Sequence, residues 1–314
     1  MEKQNIIDLC GQYGIIPNHI EIIRMNERVL AKINSGQEYF LKGEPADKTY
    51  WEACCIYAAA LLEHGMNVTH YEKFVDDTYI IQTDDKVFSL ERSLSGEPME
   101  FVTYREIAEI GRLLGIQHCI SMKIPTPFIT ATSWSMFGGN QTDAIGDYDE
   151  NELSFLDFMK HYKSHPLFSK IEFLYREYRQ SIHEIWSVLP QVAVQGDFCY
   201  YNMLRGIDGN LSIFDFNIAG NEVYLNECIA VGVYHSWYVP YKGKLNEDER
   251  FQLFIESYTK ERPFQVIEGA NFSQLKAIIR AFRYDRVEEG ILLNNELEQE
   301  LFLQETLLIL EDAH

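Results

Sequence analysis

The period of the apolar residues changes along this chain, and the order of the changes limits what it can fold into. Residues 20–42 alternate apolar and polar side chains, and Asn34-Ser35-Gly36-Gln37 reads as a tight turn between two strands. From Lys48 to Gly65 the spacing becomes helical, and Gly65 supplies a C-cap. Two short strands, Thr78–Thr83 and Lys86–Arg92, follow with Asp84-Asp85 as their turn. The first part therefore reads strand, strand, helix, strand, strand.

The character changes near Glu91 to Gly96. Residues 103–118 place Ile107, Ile110, Leu113 and Leu114 on one helical face. Residues 119–150 are irregular, with Pro125, Pro127, Gly138, Gly139 and Gly146, and end in an acidic run. Helical patterns return at 152–163, 167–188, 246–260, 272–291 and 294–312. The expected fold class is α+β: a small sheet-bearing lobe at 1–92 and a larger, mainly helical lobe at 93–314.

Composition narrows the function. The formal net charge of -21 disfavours nucleic acid or an anionic membrane as partner; it is compatible with a cationic small substrate, and solubility alone accounts for it more simply. The longest uninterrupted apolar run, Cys54 to Leu62, is far short of the roughly 20 residues that span a bilayer. No secretory signal opens the chain, which reads as soluble and cytoplasmic. The six cysteines form no Cys-x-x-Cys, a spacing that suits reduced thiols rather than a disulfide framework or a zinc site. His161 and His165 share a helix face, but Pro166 follows and no third ligand is near, so they read as a solvated pair.

The stretch VAVQGDFCYYNML, Val192 to Leu204, is harder to read as a surface turn. An apolar run opens into Gly196-Asp197, and Asp197-x-x-x-x-Asn202 is followed by a second apolar run ending in Asp215-Phe216-Asn217. Two carboxylates and an amide, each at the mouth of an apolar run, suggest oxygen ligands aimed at one point. Phosphoryl transfer asks for such a set: one Asp for the acceptor hydroxyl, an Asn and a second Asp for magnesium, and a Lys fixed by a Glu for the phosphates. Lys42 ends the strand YFLK and Glu52 lies early in the next helix, with Glu44 and Glu63 flanking the same region.

QGDFCYYN followed by IFDFN resembles the HGDxxxxN … DF signature of the aminoglycoside phosphotransferase and choline kinase superfamily. That superfamily is the small-molecule branch of the protein-kinase-like two-lobe fold. The likeness runs in element order over about residues 20 to 240 and is nearest to homoserine-kinase-like and spore-coat-associated bacterial members. It implies ATP and Mg2+ as cofactors, with Asp197 catalytic and Asn202 and Asp215 as metal ligands. It also implies that Lys42 meets the nucleotide phosphates, paired with Glu52. The segment SLERSLSG would be the hinge, where the backbone of Glu91, Arg92 and Ser93 meets adenine. LLGIQH, ending at His118, resembles the helix after that hinge.

Two positions depart from the pattern. The His before Gly-Asp is Gln195, and the Asp that follows the metal Asp appears as Glu227. In the superfamily these residues support the catalytic loop from behind, and Gln cannot become cationic. The first reading is thus a phosphotransferase acting on a hydroxyl of a small, amine-bearing molecule, with Asp147, Asp149, Asp285 and Glu288 as candidate acceptor contacts. A nucleotide-binding pseudokinase is the alternative, with Gln195 as its motive. A structural member that binds no nucleotide is a third reading, which retention of Lys42, Asp197, Asn202 and Asp215 opposes.

Overall fold

The alternating run becomes three strands rather than two. The computed structural model describes residues 3–313 except 26, 84, 130–131, 133–134 and 138–149, so Asp84, Asp147 and Asp149 lie outside the described residues. β1 (His19–Met25), β2 (Val29–Asn34) and β3 (Glu38–Glu44) form an antiparallel meander, with the expected turn between β2 and β3. The additional break includes Glu27 and Arg28, polar neighbours inside the alternating run. β4 (Ile81–Gln82) and β5 (Val87–Arg92) complete a five-stranded sheet in the order β1-β2-β3-β5-β4. The strand expected from Thr78 shrinks to the two residues of β4.

Period-two alternation gives the sheet two different faces. Ala31, Ile33, Leu41, Phe88 and Leu90 are fully buried on one, packed with Ile6, Leu9 and Cys10 of helix α1 (Lys3–Gln12). Helix α2 (Lys48–Glu63) meets the other, where Trp51 Nε1 donates to Ser89 Oγ at 3.2 Å. α2 is closed at both ends. The Asp47 carboxylate accepts the Tyr50 N–H at 2.9 Å. At the far end Met66 N–H reaches Leu61 O at 3.1 Å and Gly65 N–H reaches Leu62 O at 2.9 Å. That paired cap needs the left-handed φ of 87° that Gly65 supplies.

Contacts divide the chain into two units, and neither is one uninterrupted stretch. The first is Met1–Glu100 with Ile120–Phe128 and Tyr200–Ala219; the second is Phe101–Cys119, Ile129–Cys199 and Gly220–His314. A single cut in sequence, such as the one expected at 92/93, divides the chain differently: strand pairing brings in Tyr200–Ala219, and side chains bring in Ile120–Phe128, where Tyr57 meets Ser121 Oγ at 2.8 Å and Phe128 edge-on at 5.6 Å. β6 (Glu97–Pro98) precedes four short strands further on: β7 (Gln191–Val194), β8 (Met203–Arg205), β9 (Leu211–Ile213) and β10 (Gly220–Val223). β6, β8 and β9 form one small sheet. Thr69 N–H to Ile213 O and Ile213 N–H to Asn67 O, each 2.9 Å, bind β9 to the segment after α2.

The second unit is mainly helical. Its helices are α3 (Tyr104–Ser121, to Cys119 in this unit), α4 (Glu150–Tyr162), α5 (Phe168–Ile185), α6 (Tyr224–Trp237), α7 (Glu247–Glu261), α8 (Val266–Ala281), α9 (Tyr284–Ile291) and α10 (Glu296–Glu311). Ile107, Ile110, Leu113 and Leu114 are buried along α3, as their spacing predicts. The pattern at 272–291 is two helices, parted at Phe282–Arg283. Phe155, Phe158, Tyr175 and Phe282 form the aromatic centre, with Phe155 stacked on Tyr175 at 4.1 Å. α6 was not expected. Eleven of its residues are buried, so it carries no polar face to reveal a helical period.

Candidate active site

Strand register brings Lys42 to Glu91. In the β3–β5 ladder Lys42 lies opposite Ser89 and Phe40 opposite Glu91, so Lys42 and Glu91 are diagonal neighbours on the face that α2 covers. Lys42 Nζ stands 2.9 Å from Glu91 Oε1 and 3.5 Å from Asp215 Oδ1. Burial by itself would lower the pKa of the ammonium. The two carboxylates outweigh burial and hold Lys42 above the ordinary lysine range, so it stays a cation at neutral pH. Glu91 has a second anchor, since its Oε2 accepts from Thr69 Oγ1 at 3.1 Å.

Glu52, the expected partner of Lys42, is turned away. Both its oxygens accept the Tyr79 N–H, at 3.1 Å each. Trp51 takes the helix position over Ser89, and the next residue is rotated by about 100° around the helix, toward the approach to β4. Glu44 pairs with Arg28 at 3.0 Å. The carboxylate that fixes Lys42 is therefore that of Glu91, a residue expected to act through its backbone.

The neighbouring stretch differs from the expected hinge as well. Arg92 N–H donates to His70 O and Ser93 N–H to Glu38 O, each at 2.9 Å. The Arg92 side chain pairs with Glu72. Those two amide donors are taken, so adenine contacts from Arg92 and Ser93 would have to come from their carbonyl oxygens.

A hairpin brings Asn202 toward Asp215. β8 pairs with β9 from Arg205–Leu211 to Met203–Ile213, and Phe214 N–H extends the ladder one step to Asn202 O at 3.0 Å. Asn202 is buried. Asp215 follows with φ 63°, left-handed and costly outside glycine. The segment beyond this bend is well held: Phe216 is fully buried edge-on to Tyr57, at 6.0 Å, and Tyr50 OH donates to Asn217 O and Ala219 O. A strained aspartate carboxylate, a buried amide and a fixed ammonium thus belong to one unit.

Asp197 belongs to the second unit and sits on a turn at the end of β7. Gly196 takes φ 85°, where an L side chain would be strained. Gln195 is fully buried, and its Oε1 accepts the Asp197 N–H at 2.7 Å. Cys199 N–H donates to Asp197 O at 2.7 Å. Gly196 N–H donates to Glu227 Oε1 at 3.2 Å, and Glu227 Oε2 lies 2.6 Å from His118 Nε2. So α6 does support this turn from behind, through Glu227, while α3 supplies the histidine absent at 195. Burial pushes Glu227 up to about 8, against the pull of the Gly196 hydrogen bond.

Other candidates fall elsewhere. Tyr200 is buried whereas Tyr201 is exposed. His165 pairs with Glu300 at 2.9 Å and Asp285 with Arg283 at 2.7 Å. Glu288 is exposed. The six cysteines are free thiols. Among the described residues no group of three or more His, Cys, Asp or Glu could hold a metal ion, and no helix is long and apolar enough to cross a membrane.

No family model and no curated protein matches this chain. Solved structures do. An amicoumacin kinase, in complex with AMP-PNP and calcium, superposes with a TM-score of 0.61 at 13% identity, covering 99% of this chain and 94% of the other. A microcompartment-associated aminopropanol kinase gives 0.60 at 12% identity, covering 99% and 95%. A spectinomycin phosphotransferase, in complex with ADP and spectinomycin, gives 0.56 at 13% identity, covering 100% and 98%. The fold is the one these small-molecule phosphotransferases share, an α+β, protein-kinase-like architecture.

Proposed function

We propose that the protein transfers the terminal phosphoryl group of ATP, with magnesium, to a hydroxyl of a small molecule. Amino alcohols and amino sugars are the first acceptor class. The observation that carries the reading is Lys42 held between Glu91 and Asp215, with Asp215 in a strained backbone conformation one hairpin step beyond Asn202. Backbone strain of this kind clusters where a side chain must be aimed. The solved relatives in complex with AMP-PNP and ADP, and those named for aminopropanol and spectinomycin, support the nucleotide and the acceptor class.

Each residue has a role its chemistry permits. Asn202 and Asp215 offer hard oxygen donors, and magnesium takes one or two such side chains plus substrate phosphates rather than a full protein cage. Magnesium bound there would neutralise charge on the phosphate oxygens. Lys42 keeps its charge and moves from Asp215 to a phosphate oxygen. Asp197 orients the acceptor hydroxyl and receives its proton as the oxygen attacks phosphorus. The turn that carries it is tied on both sides, by Gln195 and by Glu227, which favours a working catalytic loop over a silent one.

The test is ADP release with amino alcohols, aminoglycosides, sugars and homoserine. We expect at least one acceptor to be turned over, and Asp197→Asn to slow that reaction by about 10²–10⁴ with ATP binding unchanged. ATP binding without turnover of any acceptor would return the protein to the pseudokinase reading. No ATP binding would end both.

A further inference from the structure

Behind the turn at Asp197 runs an unbroken line of buried polar groups. Beyond Glu227 and His118, the ring Nδ1 lies 2.7 Å from Tyr258 OH, and Arg262 Nη1 donates to that phenol at 3.1 Å. Glu268 holds Arg262 at 2.9 and 3.1 Å, and the guanidinium lies over the Tyr224 ring, 4.2 Å from its centroid. His118, Glu227, Tyr258, Arg262 and Glu268 are all less than a tenth exposed.

The direction of these hydrogen bonds is set from the far end. A guanidinium only donates, so the Tyr258 oxygen accepts from Arg262 and its own proton goes to His118. Nδ1 is then the acceptor, Nε2 carries the ring proton, and Glu227 accepts it together with the Gly196 N–H. The reverse order needs a protonated Glu227 and a His118 that donates from Nδ1 to a phenol oxygen already engaged. Among the described residues the phenol proton would then have no acceptor, and a buried orphan costs about 1–3 kcal/mol.

We infer that Tyr258 and Arg262 are positioning residues: they hold His118 as its neutral Nε2–H tautomer, which keeps Glu227 a double acceptor and so fixes the turn that carries Asp197. Only the kinetic part of the test rests on the proposed phosphotransfer. Burial opposes this arrangement, pushing Glu227 up to about 8. Burial, aided by Arg262, also drives His118 well below the ordinary histidine value. The groups that face the pair are Tyr224 and Cys228 of α6, Glu222 of β10, Tyr258 of α7, Glu268 of α8 and Arg262 between α7 and α8. Once the Tyr258 hydroxyl is gone, nothing pins Nδ1 as acceptor, and Glu227 gains a proton more readily as the pH falls. Its hold on Gly196 weakens as it does so and returns at higher pH.

The test is nuclear magnetic resonance of the full chain labelled with ¹⁵N-histidine, with His118 assigned by the loss of its signals in His118→Gln. Wild type should show a neutral Nε2–H ring at pH 9, above the carboxyl midpoint, and should keep that tautomer to a lower pH than Tyr258→Phe does. Tyr258→Phe should show the Nδ1–H form growing as the pH falls. With an acceptor in hand, Tyr258→Phe should lower kcat about tenfold, the worth of one hydrogen bond, with KM for ATP unchanged and the loss deepening as the pH falls. A wild-type ring that is Nδ1–H or doubly protonated at pH 9 overturns the inference, even if the variant does not fold. So does a variant with the wild-type tautomer and pH profile. Absence of turnover in wild type would count against the proposed function and leave the tautomer result standing.

Discussion

Lys42 lies closer to Glu91 than to Asp215, at 2.9 against 3.5 Å, and the order of these distances matters. Under the proposed phosphotransfer, a nucleotide phosphate draws the ammonium away from Asp215 without loss of its support, and Glu91, tied to Thr69, supplies that support. Glu91→Gln should therefore weaken ATP binding about tenfold by calorimetry, since it removes one partner of a nearly buried ion pair. Glu52→Gln should leave ATP affinity unchanged, because that side chain serves the Tyr79 N–H. Equal losses in both variants would return the role to α2. The sequence order of Lys42, Asp197, Asn202 and Asp215 was readable because their spacing is local to strands and turns. Glu91 was not, since its role follows from a strand register that makes diagonal neighbours of Lys42 and Glu91, 49 positions apart. His118 was noted only as a helix end, and nothing in its neighbourhood points to Glu227 and Tyr258, residues 109 and 140 positions away.

Helix contacts explain how His118 reaches Tyr258. Gly111 and Gly115 lie one turn apart on α3, and a Cβ added to them would stand 2.4 Å from Phe254 O and 2.8 Å from Tyr258 O. Two glycines at that spacing let α3 approach the backbone of α7 directly. Gly111→Ala should cost about 1–3 kcal/mol, because its methyl meets a carbonyl that no rotamer change can move. Gly269→Ala on α8 is the control: its Cβ meets nothing within 4 Å, and replacing a helical glycine should stabilise by about 0.4–1 kcal/mol. Urea midpoints with equal slopes would measure both, and a neutral Gly111→Ala would show that the approach can relax. Amphipathic helices such as α3 and α7 were legible from their period. α6 was hidden because core lies on nearly every side of it. The break between α8 and α9 was hidden because the apolar spacing continues across it, with Phe282 and Val287 both buried.

The fold class was legible in the chain because strand and helix periods occupy different stretches, but the composition of the two units was not, because Tyr200–Ala219 joins the first unit through hairpin pairing. Charge belongs to neither unit alone. Acidic residues number 48 against 27 Lys and Arg, so the folded chain carries a formal charge of -21. Many ion pairs are solvent-exposed, as with Lys160–Asp157 and Lys73–Asp77, and exposed pairs contribute little. Repulsion among the surplus carboxylates should then outweigh surface attraction. Raising sodium chloride from about 10 mM to about 150 mM shortens the screening length from about 30 Å to about 8 Å. It weakens the long-range repulsion most and leaves buried pairs such as Arg262–Glu268 nearly untouched. The melting temperature should rise over that range. Potassium chloride at equal ionic strength should give the same rise, which separates screening from binding of a particular cation. A melting temperature that falls with salt would mean that the ion pairs, and not the repulsion, govern stability.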